Sequence, residues 1–469
     1  MAYRDLREYL AALEGAGRLH RIAREVDKDW EIAAVCRKAF QNVPTAVRPA
    51  LLFEHVRGYD VPVVAGVLGA SPAVYALALE TSVENISAGW AAALQQPIPP
   101  TLVAEGVCQE RVLTGEAATL HAFPVPVWTV GEDPGPFLTA PYVFSKDPDT
   151  GARNVGTYRI QIKDGRRVGI ACVGKHVDRH LAKYRERGER MPVAIAMGTD
   201  PTIGLASVTS VAFGVDECAV AGGLRGAPVE LVACKTIPLE VPATAEIVIE
   251  GEMDPACLEQ EGPFGEYTGY MGVGGLSPVI EITAITHRTH PIYQVFVSQT
   301  PPSESSCIRM IGREQALLQR LRQQGLPVTD VHSKESGASG AFLVIAVRRE
   351  RPDTVSQVIT SAWAHEPSQA KITVVVDDDV DVRDSAAVEW AMSFHMQPAS
   401  DASIHTGTET VGLDPSVAPR DVPQHLRREI RGSKLAIDAT RKHAFPARAL
   451  PPREHLERVE AHWSDYGPW

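Results

Sequence analysis

The sequence predicts an α/β chain in three successive parts, and three observations carry that prediction. Residues 1 to about 105 alternate helical spacing with short apolar runs, β-branched runs dominate from about 110 to 300, and helix and strand patterns alternate again from about 310. At 469 residues the chain exceeds a single ordinary core, and its 44% hydrophobic content suffices for two or three. The boundaries fall at 1–108, 109–310 and 311–450, followed by a terminal helix over 451–469. The aromatic residues Trp463, Tyr466 and Trp469 in that tail suit an oligomer contact.

In the first part Asp5 to Leu19 and Trp30 to Phe40 have helical spacing, LLFEHV and VPVVAGVLG read as strands, and Ser71 to Ala93 is helical again. PIPPTLVAEG is Pro-rich and reads as a linker. The runs RVGIACV, PVAIAMG, PVELVAC, AEIVIEGEM, PVIEITAITHR and PIYQVFVSQT predict a mostly antiparallel middle part, with one helix at Val177 to Arg187. In the third part helices at Arg313 to Gln324, Thr354 to Ala364 and Ser385 to Phe394 alternate with strands in AFLVIAVRR and KITVVVDDDV.

Charge and composition remove several function classes. The 46 Lys and Arg against 58 Asp and Glu give a net charge of -12, and no basic run is long enough to track a phosphate backbone, so nucleic acid is not an expected partner. Met1 to Leu19 mixes charges with apolar residues and lacks the apolar core of a signal peptide. No run reaches the roughly 18 apolar residues needed to span a bilayer, so no membrane is expected. The seven cysteines are scattered, odd in number and without a CxxC, which fits a reduced cytoplasmic setting.

Four segments carry chemistry. In NVGTYRIQ, Asn154, Tyr158 and Arg159 flank a glycine that lets the backbone approach a partner closely; the plainer alternative is a turn and a strand with an exposed Arg. In GKHVDRH, His176 and His180 stand four apart, the spacing of helical zinc sites. Val177 occupies the place of the zincin glutamate, so a zinc hydrolase is the weaker alternative, and two surface histidines on a polar helix are another. In DECAVAGGLRG, Asp216 and Glu217 form either a solvated acidic pair or part of a cation site. A hard divalent ion prefers oxygen, tolerates imidazole and completes its shell with phosphate, so one Asn, one His and one Glu would suit it. In QEGPFGEYTGY, Glu261 and Glu266 surround Pro263 and Gly265; they are an exposed acidic turn or two carboxylates facing one cavity with Arg159 between them.

In order, NVGTYR, GKH, DE with AGGLRG, EVPATAEIVIEG, EGPFGEYTGY and RGSKLAIDAT resemble the UbiD family of reversible decarboxylases over nearly the whole chain. The resemblance implies an N-terminal α/β region, a central flavin-reductase-like split β-barrel at 109–310 and a C-terminal α/β domain. It implies prenylated FMN, bound through Mn²⁺ (or Mg²⁺) on Asn154, His176 and Glu217, with K⁺ beside Glu217 and the loop of Ala206, Ser207 and Thr209. Thr157, Tyr158, Arg159, Lys175 and Ser207 match cofactor-contacting positions, and Lys434 matches a phosphate contact. Arg159, Glu261 and Glu266 match the catalytic network, with Glu266 as proton donor.

The implied substrate is an aromatic, heteroaromatic or α,β-unsaturated carboxylic acid. Loss of CO₂ from an sp² carbon leaves a carbanion that side chains cannot delocalise, so a cofactor must take the electrons. Gln299, Thr300 and Pro302 are expected to line the pocket, and His395 stands where many relatives carry Arg, as a residue that ends a helix. A flavin prenyltransferase would supply the cofactor, and the assembly would be a homodimer or homohexamer. A non-catalytic flavin-binding subunit is the remaining alternative, opposed by the intact set of Arg159, Glu261 and Glu266.

Overall fold

The computed structural model describes residues 3–467 except 173, 210, 339, 420, 421, 423 and 428, so Trp469 of the tail lies outside the described residues. The first helix, Leu6–Gly15, starts where the Asp5 carboxylate accepts the amide of Glu8 at 2.9 Å, and it buries Leu6, Tyr9, Leu10 and Leu13. Helix Glu31–Asn42 buries Ile32, Ala33, Cys36 and Phe40 with the same period. Both belong to a unit built on a four-stranded sheet whose order is Leu19–Ile22, Ala50–Phe53, Val63–Ala65 and Tyr293–Val295. Its last strand comes from PIYQVFVSQT, and pairs in parallel with Val63–Ala65.

The central sheet has nine strands. Its spine is the antiparallel pair Ile247–Glu261 and Gly275–His287, whose register shifts at Glu250/Gly251 and Met253/Leu258 bend it. In sheet order Arg153–Thr157 is one edge, and Ile160–Asp164 lies one strand in from the other. Yet only Tyr158 and Arg159 separate these two strands in sequence. Three chain steps reach at most about 11 Å. The sheet therefore curls until its two margins nearly meet, giving the half-barrel of the expected split-barrel fold.

The middle part holds more helix than its sequence suggests. Besides His176–Arg187 there are Pro201–Ser207 and Glu217–Arg225. Each has a complete start signal: Asp200 caps the first with Pro at its opening turn, and the Asp216 carboxylate accepts the Cys218 amide at 2.9 Å in the second, which ends at left-handed Gly226. Their small residues give little apolar contrast, which hides the helical period. PIPPTLVAEG is likewise more than a linker, since Thr101–Val103 pairs in parallel with Glu230–Ala233.

A connecting helix, Glu304–Gln323, begins well before the expected Arg313 because Ser303 and Ser306 form a capping box. It leads into a five-stranded sheet with parallel Phe342–Val347, Ile372–Asp377 and Gly432–Ala439 at its centre and antiparallel edges Val328–Ser333 and Ala402–Thr408. Helix Thr354–His365 covers one face and Ser385–Phe394 the other. The tail helix Arg453–Glu460 is exposed along its length, as are Trp463 and Tyr466 after it. All seven cysteines are free, and no helix of the described residues is long and apolar enough to cross a membrane.

The first two parts are tied by buried carboxylates. Glu304, wholly buried, accepts the amides of Gly66 and Leu68 at 3.0 Å each and of Val297 at 3.1 Å, and burial pushes its carboxyl up to about 7. Glu246, also buried, takes a two-point bond from Arg7 at 2.8 and 2.9 Å and the Ile292 amide at 2.9 Å. Replacing Glu304 by Ala would strand three buried amides. We expect Glu304→Ala to lose roughly 3–5 kcal/mol, read as a lowered urea midpoint.

Candidate active site

The two residues that bridge the barrel margins are also its most chemically charged point. Tyr158 folds back over Gly156, where a Cβ would stand 2.3 Å from the Tyr158 hydroxyl, so only glycine admits the ring. Arg159 points the other way. Its Nε and Nη2 donate to the two carboxylate oxygens of Glu261 at 2.9 and 3.0 Å, while Nη1 donates to Oε1 of Glu266. Glu261 ends the long strand Ile247–Glu261, and Glu266 follows the short strand Phe264–Gly265, which pairs with Met271–Gly272. A Cβ on Gly272 would lie 2.9 Å from Cγ of Glu266, so this glycine keeps the carboxylate's place open.

Burial separates the two carboxylates in character. Glu261 is only 2% exposed in its side chain and is locked to Arg159 at two points, whereas Glu266 is 21% exposed and held at one oxygen. Burial raises the Glu266 carboxyl above its ordinary value, against the opposing pull of Arg159 and Arg309. A carboxyl so placed can hold a proton closer to neutral pH and present it to a ligand. The alternative of an exposed acidic turn is therefore excluded. Asp133, whose Oδ2 accepts the Trp128 and Thr129 amides at 2.9 and 2.7 Å, also lies within electrostatic reach of Arg159.

A second group forms behind Tyr158. Helices His176–Arg187, Pro201–Ser207 and Glu217–Arg225 all pack on strand Arg153–Thr157. Buried Glu217 accepts the Val155 amide at 2.7 Å, next to buried Asn154, whose Nδ2 lies 3.5 Å from the Tyr158 hydroxyl. That hydroxyl also meets the Val177 amide and the field of Glu217, which brings the start of the His176 helix into the group. No Lys or Arg pairs with Glu217 among the described residues, and burial pushes its carboxyl up to about 7. Burial, Arg179 and Lys175 keep His176 below its ordinary value and so in its neutral, ligating form. An amide oxygen, a neutral imidazole and an uncompensated buried carboxylate are a donor set that fits a hard divalent cation.

His180 does not join that group. It is buried rather than on the surface, its Nδ1 lies 3.0 Å from the Ser145 hydroxyl, and burial holds its pKa down to about 4. The Phe213 ring packs edge-on against both imidazoles, 5.3 Å from His176 and 5.7 Å from His180. Among the described residues no three His, Cys, Asp or Glu side chains gather as a metal site. Ser207 shares a 2.8 Å hydrogen bond with Thr157 and donates to the Gly204 carbonyl at 2.7 Å, which seats the end of its helix on the barrel edge. Thr209 donates to the Leu205 carbonyl at 2.9 Å, and Ala206 is buried.

Other residues lie further off or went unread in the sequence. Lys175 is exposed at the start of its helix. The contacts of Lys434 lie within the C-terminal unit: it is buried, its ammonium stands 5.1 Å from the Trp363 ring centroid, and burial pulls it down to about 8. The Gln299 amide nitrogen donates to the Ala33 carbonyl at 3.2 Å, the Thr300 hydroxyl donates to the Gly269 carbonyl at 3.2 Å, and Pro302 is half-buried. His395 closes helix Ser385–Phe394, buried 3.5 Å from Asp377. Arg309 and Asp133 escaped the sequence reading because each is a lone charge in an ordinary context; only the turn signals around Asp133 hinted at an ordered loop.

The three family models described as the N-terminal, Rift-related and C-terminal domains of 3-octaprenyl-4-hydroxybenzoate carboxy-lyase, UbiD, match residues 10–94, 101–301 and 308–439. An uncharacterized protein of Archaeoglobus fulgidus is 32% identical over 99% of this chain and 99% of its own length. Among solved structures, the UbiD-class enzyme HmfF of Pelotomaculum thermopropionicum in complex with FMN is 35% identical with a TM-score of 0.86, covering 97% of this chain and 99% of that one. An evolved dimeric form of the same enzyme in complex with prFMN superposes with a TM-score of 0.84, at 35% identity over 99% of this chain and all 100% of that one. Sedimentibacter hydroxybenzoicus vanillic acid decarboxylase, 28% identical and covering 99% of this chain in both forms, has a TM-score of 0.82 in its open form, over 100% of that chain, and 0.76 in its closed form, over 99%.

The buried state of His180 has a measurable consequence. Its folded pKa is depressed, so the unfolded chain takes the proton first, and the stability it contributes is complete above about 6.5 and lost as pH falls towards about 4. We expect His180→Ala to be less stable than wild type in urea at about pH 7.5 and to show a smaller further loss at about pH 5.

Proposed function

The chain belongs to the UbiD family, and from that premise we propose that it is a reversible decarboxylase of an aromatic, heteroaromatic or α,β-unsaturated carboxylic acid, with prenylated FMN as cofactor and Glu266 as proton donor. The observation that carries this reading is the Arg159 guanidinium gripped between Glu261 and Glu266, one residue from the Tyr158 that closes over Asn154 and Glu217. That the solved relatives hold prFMN or FMN, and that one is a vanillic acid decarboxylase, supports it.

When bound, the modified flavin supplies the electron sink that an sp² carbanion requires. The rest falls to the chain. Asn154, His176 and Glu217 would hold Mn²⁺ (or Mg²⁺) and through it the cofactor phosphate, with K⁺ beside Glu217 near Ser207. Thr157, Tyr158, Arg159, Lys175 and Ser207 would contact the cofactor, and Lys434 its phosphate. Glu261, bound at both oxygens, fixes Arg159 in plane. Arg159 in turn sets where the Glu266 oxygen stands and steadies its anion once the proton has left. Because burial raises the Glu266 carboxyl, it holds its proton to higher pH than an ordinary carboxyl and can deliver it to the carbon that has lost CO₂. The exposed tail, with Leu456, Val459, Trp463 and Tyr466, offers an apolar face for a homodimer or homohexamer.

Two variants separate binding from chemistry. Glu217→Gln, coexpressed with a flavin prenyltransferase, should purify largely colourless, because the metal bridge to phosphate loses its anionic ligand; full flavin occupancy in that variant would show that the ligand assignment is wrong. Glu266→Gln should keep a flavin spectrum close to wild type yet lose about 10²- to 10⁴-fold in turnover and fail to place solvent deuterium at the former carboxyl carbon. Label appearing at a rate near wild type would move the donor to Glu261 or to water.

A further inference from the structure

Arg159 has no charge to spare, since Glu261 takes two of its nitrogens and Glu266 the third. A second cation stands close by. Arg309, on the connecting helix Glu304–Gln323, is exposed, and its guanidinium carbon lies 4.3 Å from the ring centroid of Tyr267, the neighbour of Glu266. The Tyr267 hydroxyl is turned to Gln369, so Arg309 sits where the catalytic hairpin, the connecting helix and the C-terminal unit meet. Among the described residues no carboxylate bonds to Arg309, whereas Arg313, one turn along, pairs with Glu366 at 3.3 Å. Contact with a ring face orients a guanidinium without neutralising it, and leaves its planar edge free for an oxyanion.

We propose that Arg309 is a specificity-determining residue that binds a second carboxylate of the substrate, so that the favoured acids are aromatic dicarboxylates. This rests on the decarboxylase reading of the same site. The scissile carboxylate enters beside Glu266, whose own charge and that of Glu261 already offset Arg159. An acid with a second anionic group gains from the unpaired cation; a monocarboxylate leaves it facing water. After Arg159, Arg309 is also the main cation drawing on the Glu266 carboxyl. A carboxylate laid on Arg309 would offset that pull and so favour the protonated form of Glu266 in the complex.

The test uses full-length protein coexpressed with a flavin prenyltransferase, with binding measured by calorimetry for benzoate, benzene-1,3-dicarboxylate and benzene-1,4-dicarboxylate. Wild type should bind at least one dicarboxylate more tightly than benzoate. Arg309→Gln should weaken that dicarboxylate by about tenfold or more, the loss of one charged hydrogen bond, with benzoate little changed. Arg309→Lys should restore part of the preference. The exposed position should let both variants melt near wild type. The proposal is overturned if wild type shows no preference, or if Arg309→Gln weakens both kinds of acid alike. Binding needs no turnover, so the two readings fail separately. Arg309-dependent dicarboxylate binding without CO₂ release from any acid would sink only the decarboxylase reading, and CO₂ release with an unchanged acid preference in Arg309→Gln would sink only this one.

Discussion

The site depends on a constraint of chain length. Strands Arg153–Thr157 and Ile160–Asp164 lie near opposite margins of the central sheet, and Tyr158 with Arg159 is all that joins them. A nine-stranded sheet with ordinary twist leaves its margins apart; a link of about 11 Å forces them together. The two side chains at the link then have nowhere to go except one to each side of the seam. Tyr158 turns over Gly156 towards Asn154 and Glu217, and Arg159 turns towards Glu261 and Glu266. Tyr158, beside Asn154 and Glu217, and Arg159, beside the acidic pair, are thus spaced by a single peptide unit, which fixes the separation of the two groups more firmly than loops could.

Burial acts on each group with a different result because the partners differ. Glu261 is desolvated but fully paired, Glu266 is partly exposed and paired at one oxygen, and Glu217 is desolvated with only a backbone donor. The last is the costly case, and burial accordingly pushes its carboxyl up to about 7. Arg309 is the mirror image, a cation oriented by a ring and bonded to no carboxylate among the described residues.

Much of the fold could be read from the sequence, and the exceptions have physical causes. The three-part order follows from apolar periodicity, which is strong in runs such as AEIVIEGEM. It fails where small residues blunt the contrast, as in Glu217–Arg225, and where a strand leaves its neighbours, as Tyr293–Val295 does. Arg159, Glu261 and Glu266 were legible as a set because Pro263 and Gly265 announce a turn with acids at both ends, and the structure brings them together. His180 was misread as a surface residue because a helix rich in Arg and Lys looks solvated all round, while Ser145, its buried partner, lies on a distant strand. Arg309 had no local signal at all; its meaning comes from Tyr267 and Glu266, which only the fold places beside it.

The insertion of Tyr293–Val295 beside Val63–Ala65 has a consequence for how the protein is made. During synthesis the first unit emerges early but lacks the edge of its sheet until the whole barrel has been translated. Glu304, which receives the amides of Gly66, Leu68 and Val297, arrives later still. For about half of the time the ribosome spends on this chain, Val63–Ala65 presents an open, apolar strand edge, the kind of surface that recruits chaperones or a neighbouring nascent chain. Fragments ending before that point would carry the same open edge permanently.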